Sequence, residues 1–286
     1  MEAFPAGILA MFELKKGALY VVATPIGNLA DLSPRARDVL AQADLICAED
    51  TRHTRHMLNA LGLDRPLLAL HDHNESERVH QVLDHLRAGK SLALVSDAGT
   101  PLISDPGYRL VRELREAGIS VSPIPGPCAA IAALSVAGIA SDRFCFEGFL
   151  PNKTSARRER LRGLADEPRT LVFYESSHRI EECLADMASA FGPEREAVLA
   201  REISKLFETV LAGSLGEITG QVAADPNQRK GEFVLVIAGA PEDENAALIE
   251  GRRLYAKLAE VMKPSQAAKI AADFSGAPRK SLYGGE

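Results

Sequence analysis

Short apolar runs alternate with amphipathic stretches across residues 18–124, and this alternation restricts the fold more than any other feature of the chain. Strands are expected at residues 18–23, 45–48, 67–70, 92–95 and 119–124. The first is a short apolar run, and the others follow it at the spacing of strands alternating with helices. Between the first two, Ser33-Pro34 supplies an N-cap and a proline at the first helical position, and Val39, Leu40 and Ala43 continue that helix on one face. Val79, Val82, Leu83 and Leu86 recur at helical spacing and predict a helix that ends at Gly89. Leu110, Val111 and Leu114 mark another, stopped at Gly118. Repeated strand–helix units with short loops call for a largely parallel sheet with helices on both faces.

Pro125-Gly126-Pro127 interrupts this pattern, and an apolar helix follows over residues 128–137. A second α/β unit then begins near Phe144, with strands expected at 144–149, 170–174, 198–203, 209–212 and 233–238. Helices fit residues 155–164 and 179–191, and Gly213-Ser214-Leu215 reads as a turn after a strand. Residues 241–250 are acidic and loop-like. Beyond them, Leu254, Leu258, Val261, Ala268 and Ile270, with Pro264-Ser265 opening a new helix, describe a helical appendage too short to own a large core. The chain of 286 residues, about twice the common domain size, thus divides into an N-terminal extension (1–16), an N-terminal α/β domain (17–125), a C-terminal α/β domain (126–240) and a linker with a small helical appendage (241–286).

Composition removes several classes of function. A formal charge of -6 argues against a surface coated in cations for non-specific nucleic-acid binding, although a local basic patch is still allowed. Cys47, Cys128, Cys145 and Cys183 are scattered with no C-x-x-C pair, which disfavours a disulfide framework or a zinc site and fits a reducing cytoplasm. No apolar run approaches the ~18 residues that span a bilayer, so no membrane attachment is expected. Residues 7–12 are apolar, but no cationic segment precedes them, so they make a poor signal peptide and read as part of a loose extension that an upstream start codon would explain.

Three loops that follow strands carry the chemistry: Thr24-Pro25-Ile26-Gly27-Asn28-Leu29, Ser96-Asp97-Ala98-Gly99-Thr100-Pro101 and Pro125-Gly126-Pro127-Cys128. In a parallel sheet such loops gather at the carboxyl ends of the strands, where ligands bind. Any one of them also reads as ordinary turn chemistry; three together point to a pocket. Neither a phosphate-cradling G-x-x-x-x-G-K-[ST] loop nor a G-x-G-x-x-G turn is present, so the pocket need not be built for phosphates.

The first and second loops, with Asp31-Leu32-Ser33 and the continuation Leu102-Ile103-Ser104-Asp105-Pro106-Gly107, match known signatures. So do Ala48-Glu49-Asp50-Thr51-Arg52, Asp72-His73-Asn74-Glu75, Tyr174-Glu175-Ser176-Ser177-His178-Arg179 and Arg201-Glu202-Ile203-Ser204-Lys205. In this order they resemble the ribosomal RNA small subunit methyltransferase I family, within the tetrapyrrole methylase superfamily, from about Gly17 to the end of the chain. The resemblance implies two α/β domains of the tetrapyrrole methylase type with the cofactor cleft between them, plus a small C-terminal helical segment. It also implies a homodimer, S-adenosyl-L-methionine as cofactor, and 2′-O-methylation of a cytidine in 16S ribosomal RNA near the decoding centre, on free RNA or on the assembled small subunit. By similarity the cofactor contacts Pro25, Ile26, Ser96, Asp97, Thr100, Cys128, Ala129, Tyr174, Glu175 and Ala200. In one respect the first loop departs from relatives that act on tetrapyrroles: theirs is richer in glycine and ends in Asp, where this chain has Asn28.

For RNA, Lys153, Arg157, Arg158, Arg160 and Arg162 against the single acidic Glu159 make a segment of net +4. On a helix these form adjacent basic rows suited to phosphates, in a chain that is acidic overall. A solvated helix face is the bland alternative. Lys269, Arg279 and Lys280 in the tail are further candidates. His53 with His56, and His71 with His73, lack third and fourth ligands at a recognised spacing, so no metal is expected. A ribose hydroxyl must lose its proton, and Asp50, Asp105, Glu175 and Lys205 (the last only with a pKa lowered by burial) are candidate bases. Sequence does not choose among them. Two other readings stand beside this one: a tetrapyrrole C-methyltransferase, and a non-catalytic RNA-binding factor that retains the cofactor pocket.

Overall fold

A computed structural model describes residues 13–71, 74–241 and 246–282. Most of the predicted N-terminal extension, Asp72 and His73 of one motif, and residues 242–245 of the linker lie outside the described residues. The chain forms two compact units, the second made of Gly239–Glu286 with Asp166–Pro168.

Within the first unit, strands β1 (Ala18–Val22), β2 (Leu45–Ala48), β3 (Leu67–Ala69), β4 (Leu92–Val95) and β5 (Ser120–Ile124) pair in the order β3-β2-β4-β1-β5, all parallel. Helices cover both faces, because each strand presents apolar side chains to both. Tyr20, Ile46, Ala93 and Val95 meet Ala36, Val39 and Leu40 of α1 (Pro34–Gln42) and Leu58 of α2 (Thr51–Ala60). Leu19, Cys47, Leu92 and Leu94 meet Val79, Val82, Leu83 and Leu86 of α3 (Glu75–Arg87) with Leu110 and Leu114 of α4 (Tyr108–Glu116). Ser33 caps α1 as expected, its hydroxyl accepting from the Ala36 N–H at 3.1 Å. Strand order reverses between β4 and β1, the switch point where ligands bind in such sheets. The loops after those two strands are tied there: Thr24 and Gly99 exchange backbone hydrogen bonds of 2.8 and 3.1 Å.

A second sheet completes this unit, from β6 (Phe144–Phe149), β7 (Thr170–Ser176), β8 (Glu196–Arg201), β9 (Thr209–Ser214) and β10 (Glu232–Ile237) in the order β6-β7-β10-β8-β9. Only β6 and β7 run parallel; the other pairs are antiparallel. One face packs on α6 (Thr154–Arg162), α7 (Ile180–Phe191) and α8 (Leu215–Ala224) through Leu161, Leu184, Met187 and Ile218. The other packs on α5 (Ala129–Ala137) through Val172, Val198, Ala200 and Val234.

One local reading is corrected. Gly213-Ser214-Leu215 is not a turn: Gly213 and Ser214 finish β9, and α8 starts at once. Ser214 and Glu217 form a capping box, with the Glu217 N–H donating to Ser214 Oγ at 3.2 Å and the Ser214 N–H to Glu217 Oε2 at 2.8 Å, so the chain enters the helix without a separate loop.

The second unit contains α9 (Ala246–Ala259) and α10 (Pro264–Ser275). Ala271, Ala277 and Leu282 form a small core against Leu248, Leu254 and Tyr255. Among the described residues no helix is long and apolar enough to cross a membrane.

Candidate functional site

A cleft of about 340 Å³ opens at the switch point of the first sheet. That volume lies within the ~300–1,000 Å³ range of small-molecule sites. Ile26 of the first loop, Asp97 to Thr100 of the second, and Cys128 and Ala129 at the start of α5 border it from one side. Phe149, Tyr174, Ile203, Lys205 and Val234 border it from the second sheet.

Hydrogen bonds hold these loops in shape. Thr100 Oγ1 donates to the Pro127 carbonyl at 2.9 Å, joining the second loop to the Pro-Gly-Pro turn. Asp97 Oδ1 accepts the Asp50 N–H at 3.0 Å. The Tyr174 hydroxyl accepts the Ala130 N–H at 3.1 Å, fixing the ring beneath α5. Burial raises the Tyr174 pKa, with Cys128 and Asp105 adding to the shift, so the phenol stays neutral.

The two sheets' loops interlock at two places. A Cβ on Gly27 would fall 2.3 Å from Lys205 Cγ, so only a glycine lets the lysine stem cross the first loop. At Gly148, where β6 and β7 shift register and φ is +63°, a Cβ would lie 2.9 Å from Ser104 Oγ. Leu102, Ser104, Glu202 and Ser204 all take positive φ without being glycine, so backbone strain is concentrated in the two loops that flank the cleft. Ser204 also donates a short hydrogen bond to Asp31 of the first sheet's side.

Of the residues expected to meet a cofactor, Ile26, Asp97, Thr100, Cys128, Ala129, Tyr174 and Glu175 border the cleft. Pro25, Ser96 and Ala200 do not. Ser96 is buried under the second loop, its carbonyl accepting from Thr24 Oγ1 at 3.3 Å, and Ala200 is a fully buried residue of the layer behind the cleft. Asn28 has a local role: its Oδ1 accepts the Ala30 N–H and caps the short turn that follows.

Three candidate bases are corrected. Asp50 lies outside the cleft and caps α2, and hydrogen bonds from Arg52 hold its carboxyl down at about 2. Glu175 points with Leu171 and Phe173 to the α7 face of β7, where it pairs with Arg179 at 2.7 Å, so its backbone rather than its carboxylate faces the ligand space. Lys205 donates to Glu202 at 2.8 Å and Glu232 at 2.7 Å. Burial favours its neutral form, but these carboxylates outweigh it and the pKa rises, which removes the condition under which it was a base. Asp105, the fourth candidate, borders the cleft.

The basic segment is corrected at Arg157, while Arg158 and Arg160 are paired but remain exposed. Arg157 is 1% exposed and its Nε donates to Asp186 at 2.6 Å, so it faces the core and not RNA. Arg158 shares Asp186, and Arg160 is paired with Glu147. Lys153 and Arg162 are exposed.

Sequence reading missed Glu49, Ile103, Ser104, Phe149, Glu232 and Phe233 as cleft residues. Glu49 and Ser104 sit inside motifs already quoted; β10 carries no local signal of a site. Among the described residues no group of three or more His, Cys, Asp or Glu side chains is arranged to hold a metal.

Residues 18–219 match the family of tetrapyrrole (corrin/porphyrin) methylases, and residues 245–284 match a model described as the RsmI C-terminal HTH domain. Uroporphyrin-III C-methyltransferase from Thermus thermophilus superposes with a TM-score of 0.52 at 21% identity, covering 79% of this chain and 96% of its own. The fold and its switch-point cleft therefore define a methylase of this class. Closer relatives narrow it. A ribosomal RNA small subunit methyltransferase I from Xylella fastidiosa (strain Temecula1 / ATCC 700964) is 62% identical over 94% of this chain and 98% of its own length. Its namesake from Escherichia coli O157:H7 is 51% identical over 94% of each. The chain belongs to the ribosomal RNA small subunit methyltransferase I family.

Proposed function

We propose that this enzyme uses S-adenosyl-L-methionine to methylate the ribose 2′-hydroxyl of a cytidine in 16S ribosomal RNA near the decoding centre, working in the cytoplasm as a homodimer. The observation that carries the cofactor assignment is the charge of the cleft. Four acidic residues (Glu49, Asp97, Asp105 and Glu232) and one ammonium, Lys205, bring their charge to its border, while the Glu175 carboxylate is turned away and paired with Arg179. Lys205 is itself neutralised by Glu202 and Glu232. Such a site repels polyphosphates and accommodates a cationic sulfonium donor. It also disfavours a macrocycle that brings its own carboxylates, which weighs against the tetrapyrrole alternative.

Ile26, Ala129 and Tyr174 offer the apolar wall that an adenosine needs, and Asp97, with the backbone of 97–100, offers polar contacts. When bound, the donor supplies an activated methyl group; the chain's work is binding and alignment. Thr100, held on the Pro127 carbonyl, and Tyr174, held on the Ala130 N–H, keep the walls in fixed positions. Holding two reactants in attack geometry contributes on the order of 7–11 kcal/mol. Asp105 borders the cleft, and its carboxylate is the group in this reading that accepts or orients the hydroxyl proton.

Purified protein incubated with labelled S-adenosylmethionine and either small subunits, free 16S RNA or a precorrin tests the reading. Label in a cytidine ribose of the RNA is expected. Label in the precorrin alone would replace this function with the tetrapyrrole one, and tight RNA binding with no label would make the chain a non-catalytic factor.

A further inference from the structure

Phe149 closes β6 with 55% of its surface exposed, yet it borders the buried cleft. Its ring meets Tyr174 edge-on, with centroids 5.6 Å apart and planes at 64°. Tyr174 is in turn braced by Phe146 at 4.9 Å and by its hydrogen bond to the Ala130 N–H. The ring therefore borders the cleft with a rigid backing and an exposed surface. Four residues further on, Lys153 stands exposed at the N-cap of α6. A supported aromatic ring with an exposed cation four residues along the chain is the pairing that proteins use on single-stranded nucleic acid, the ring stacking a base and the cation meeting a phosphate. The acidic residues that border the cleft disfavour phosphates there, while a neutral base and its sugar can enter.

We infer that Phe149 is a positioning residue that stacks the base of the nucleotide to be methylated, with Lys153 on a neighbouring phosphate. This rests on the ribose-methylation reading given above. The base must leave its own stack to reach the cleft, and the aromatic surface replaces part of what it loses.

The test compares Phe149→Ala and Phe149→Trp with the unaltered enzyme in methyl transfer to small subunits at varied RNA concentration. Donor-site affinity is read separately by calorimetry with S-adenosylhomocysteine. For Phe149→Ala, kcat/KM for RNA falls roughly tenfold, the scale of one base–aromatic stack, while nucleoside affinity and melting temperature stay as they were. Phe149→Trp restores transfer, because a larger ring still stacks. Unchanged kcat/KM in the alanine variant would overturn the platform and leave the ribose-methylation reading standing. Equal losses in RNA turnover and S-adenosylhomocysteine binding would reassign the ring to the donor. If the unaltered enzyme labels no ribose at all, the parent reading fails and the platform falls with it.

Discussion

Arg157 Nε and Asp186 Oδ2 lie 2.6 Å apart, in side chains that are 1% and 4% exposed. This buried ion pair joins α6 to α7 across the outer face of the second sheet. Arg158 reaches the second oxygen of the same carboxylate, also at 2.6 Å, so Asp186 accepts from both arginines.

Removing Arg157 leaves Asp186 charged in an apolar layer with only a half-exposed partner. Arg157→Ala is expected to cost about 3–5 kcal/mol of folding stability, the range for breaking one side of a buried pair. Arg158→Ala, at a more exposed position, is expected to cost clearly less. Urea denaturation of both variants measures the difference, and equal small losses would contradict the buried pairing.

Acid should act through the same carboxylate. Burial disfavours the charge of Asp186, but hydrogen bonds from Arg158 and Arg157 outweigh it and hold the pKa below the usual value. A depressed folded-state pKa stabilises the fold above the unfolded pKa of about 3.9, and this contribution is lost as pH falls through the folded value. Stability measured from pH 6 down to pH 2 should therefore fall less steeply at its acid end in Asp186→Asn than in the parent, although the variant starts lower.

RNA affinity should respond to Lys153 and Arg162 and not to Arg157. Each exposed cation that meets a phosphate adds about 0.7–0.9 to the slope of log affinity against log salt. Lys153→Ala with Arg162→Ala is expected to flatten that slope in a filter-binding titration. An unchanged slope would take this helix out of the RNA surface.

Asp97→Ala should weaken donor-site binding at least several-fold while the fold persists, because its carboxylate both borders the cleft and holds the Asp50 N–H. Calorimetry with S-adenosylhomocysteine reads the affinity, and circular dichroism the fold. Unaltered affinity would move the nucleoside away from the second loop.

Cysteine alkylation offers a footprint of the cleft. Burial pushes the Cys47 thiol up to about 12 and raises that of Cys183, and both are fully buried, so neither should react in the native protein. Cys128 is half-buried at the cleft, so it should be labelled by a maleimide and protected by S-adenosylhomocysteine. Mass spectrometry of the labelled peptides checks each site.

Legibility followed how local each signal is. The central strands of the first sheet, β1, β2 and β4, are legible because burial on both faces writes a continuous apolar run. Helix α2 went unread, since Thr51–Ala60 buries only Thr54 and Leu58 and its other positions are polar or partly exposed. Arg157 was misplaced although a signal existed: it sits one turn before Leu161, on the face that α6 buries.

The amino-acid sequence by itself determined the strand–helix alternation, the cap at Ser33 and the three glycine- and proline-bearing loops after the strands, because these depend on neighbours a few residues apart. The tertiary structure alone decided that Tyr174 stands beside Val234, that Lys205 crosses Gly27, and which charges are buried against which. Those outcomes join residues tens to nearly two hundred positions apart. Chain closure and packing select such partners, and no local pattern encodes them.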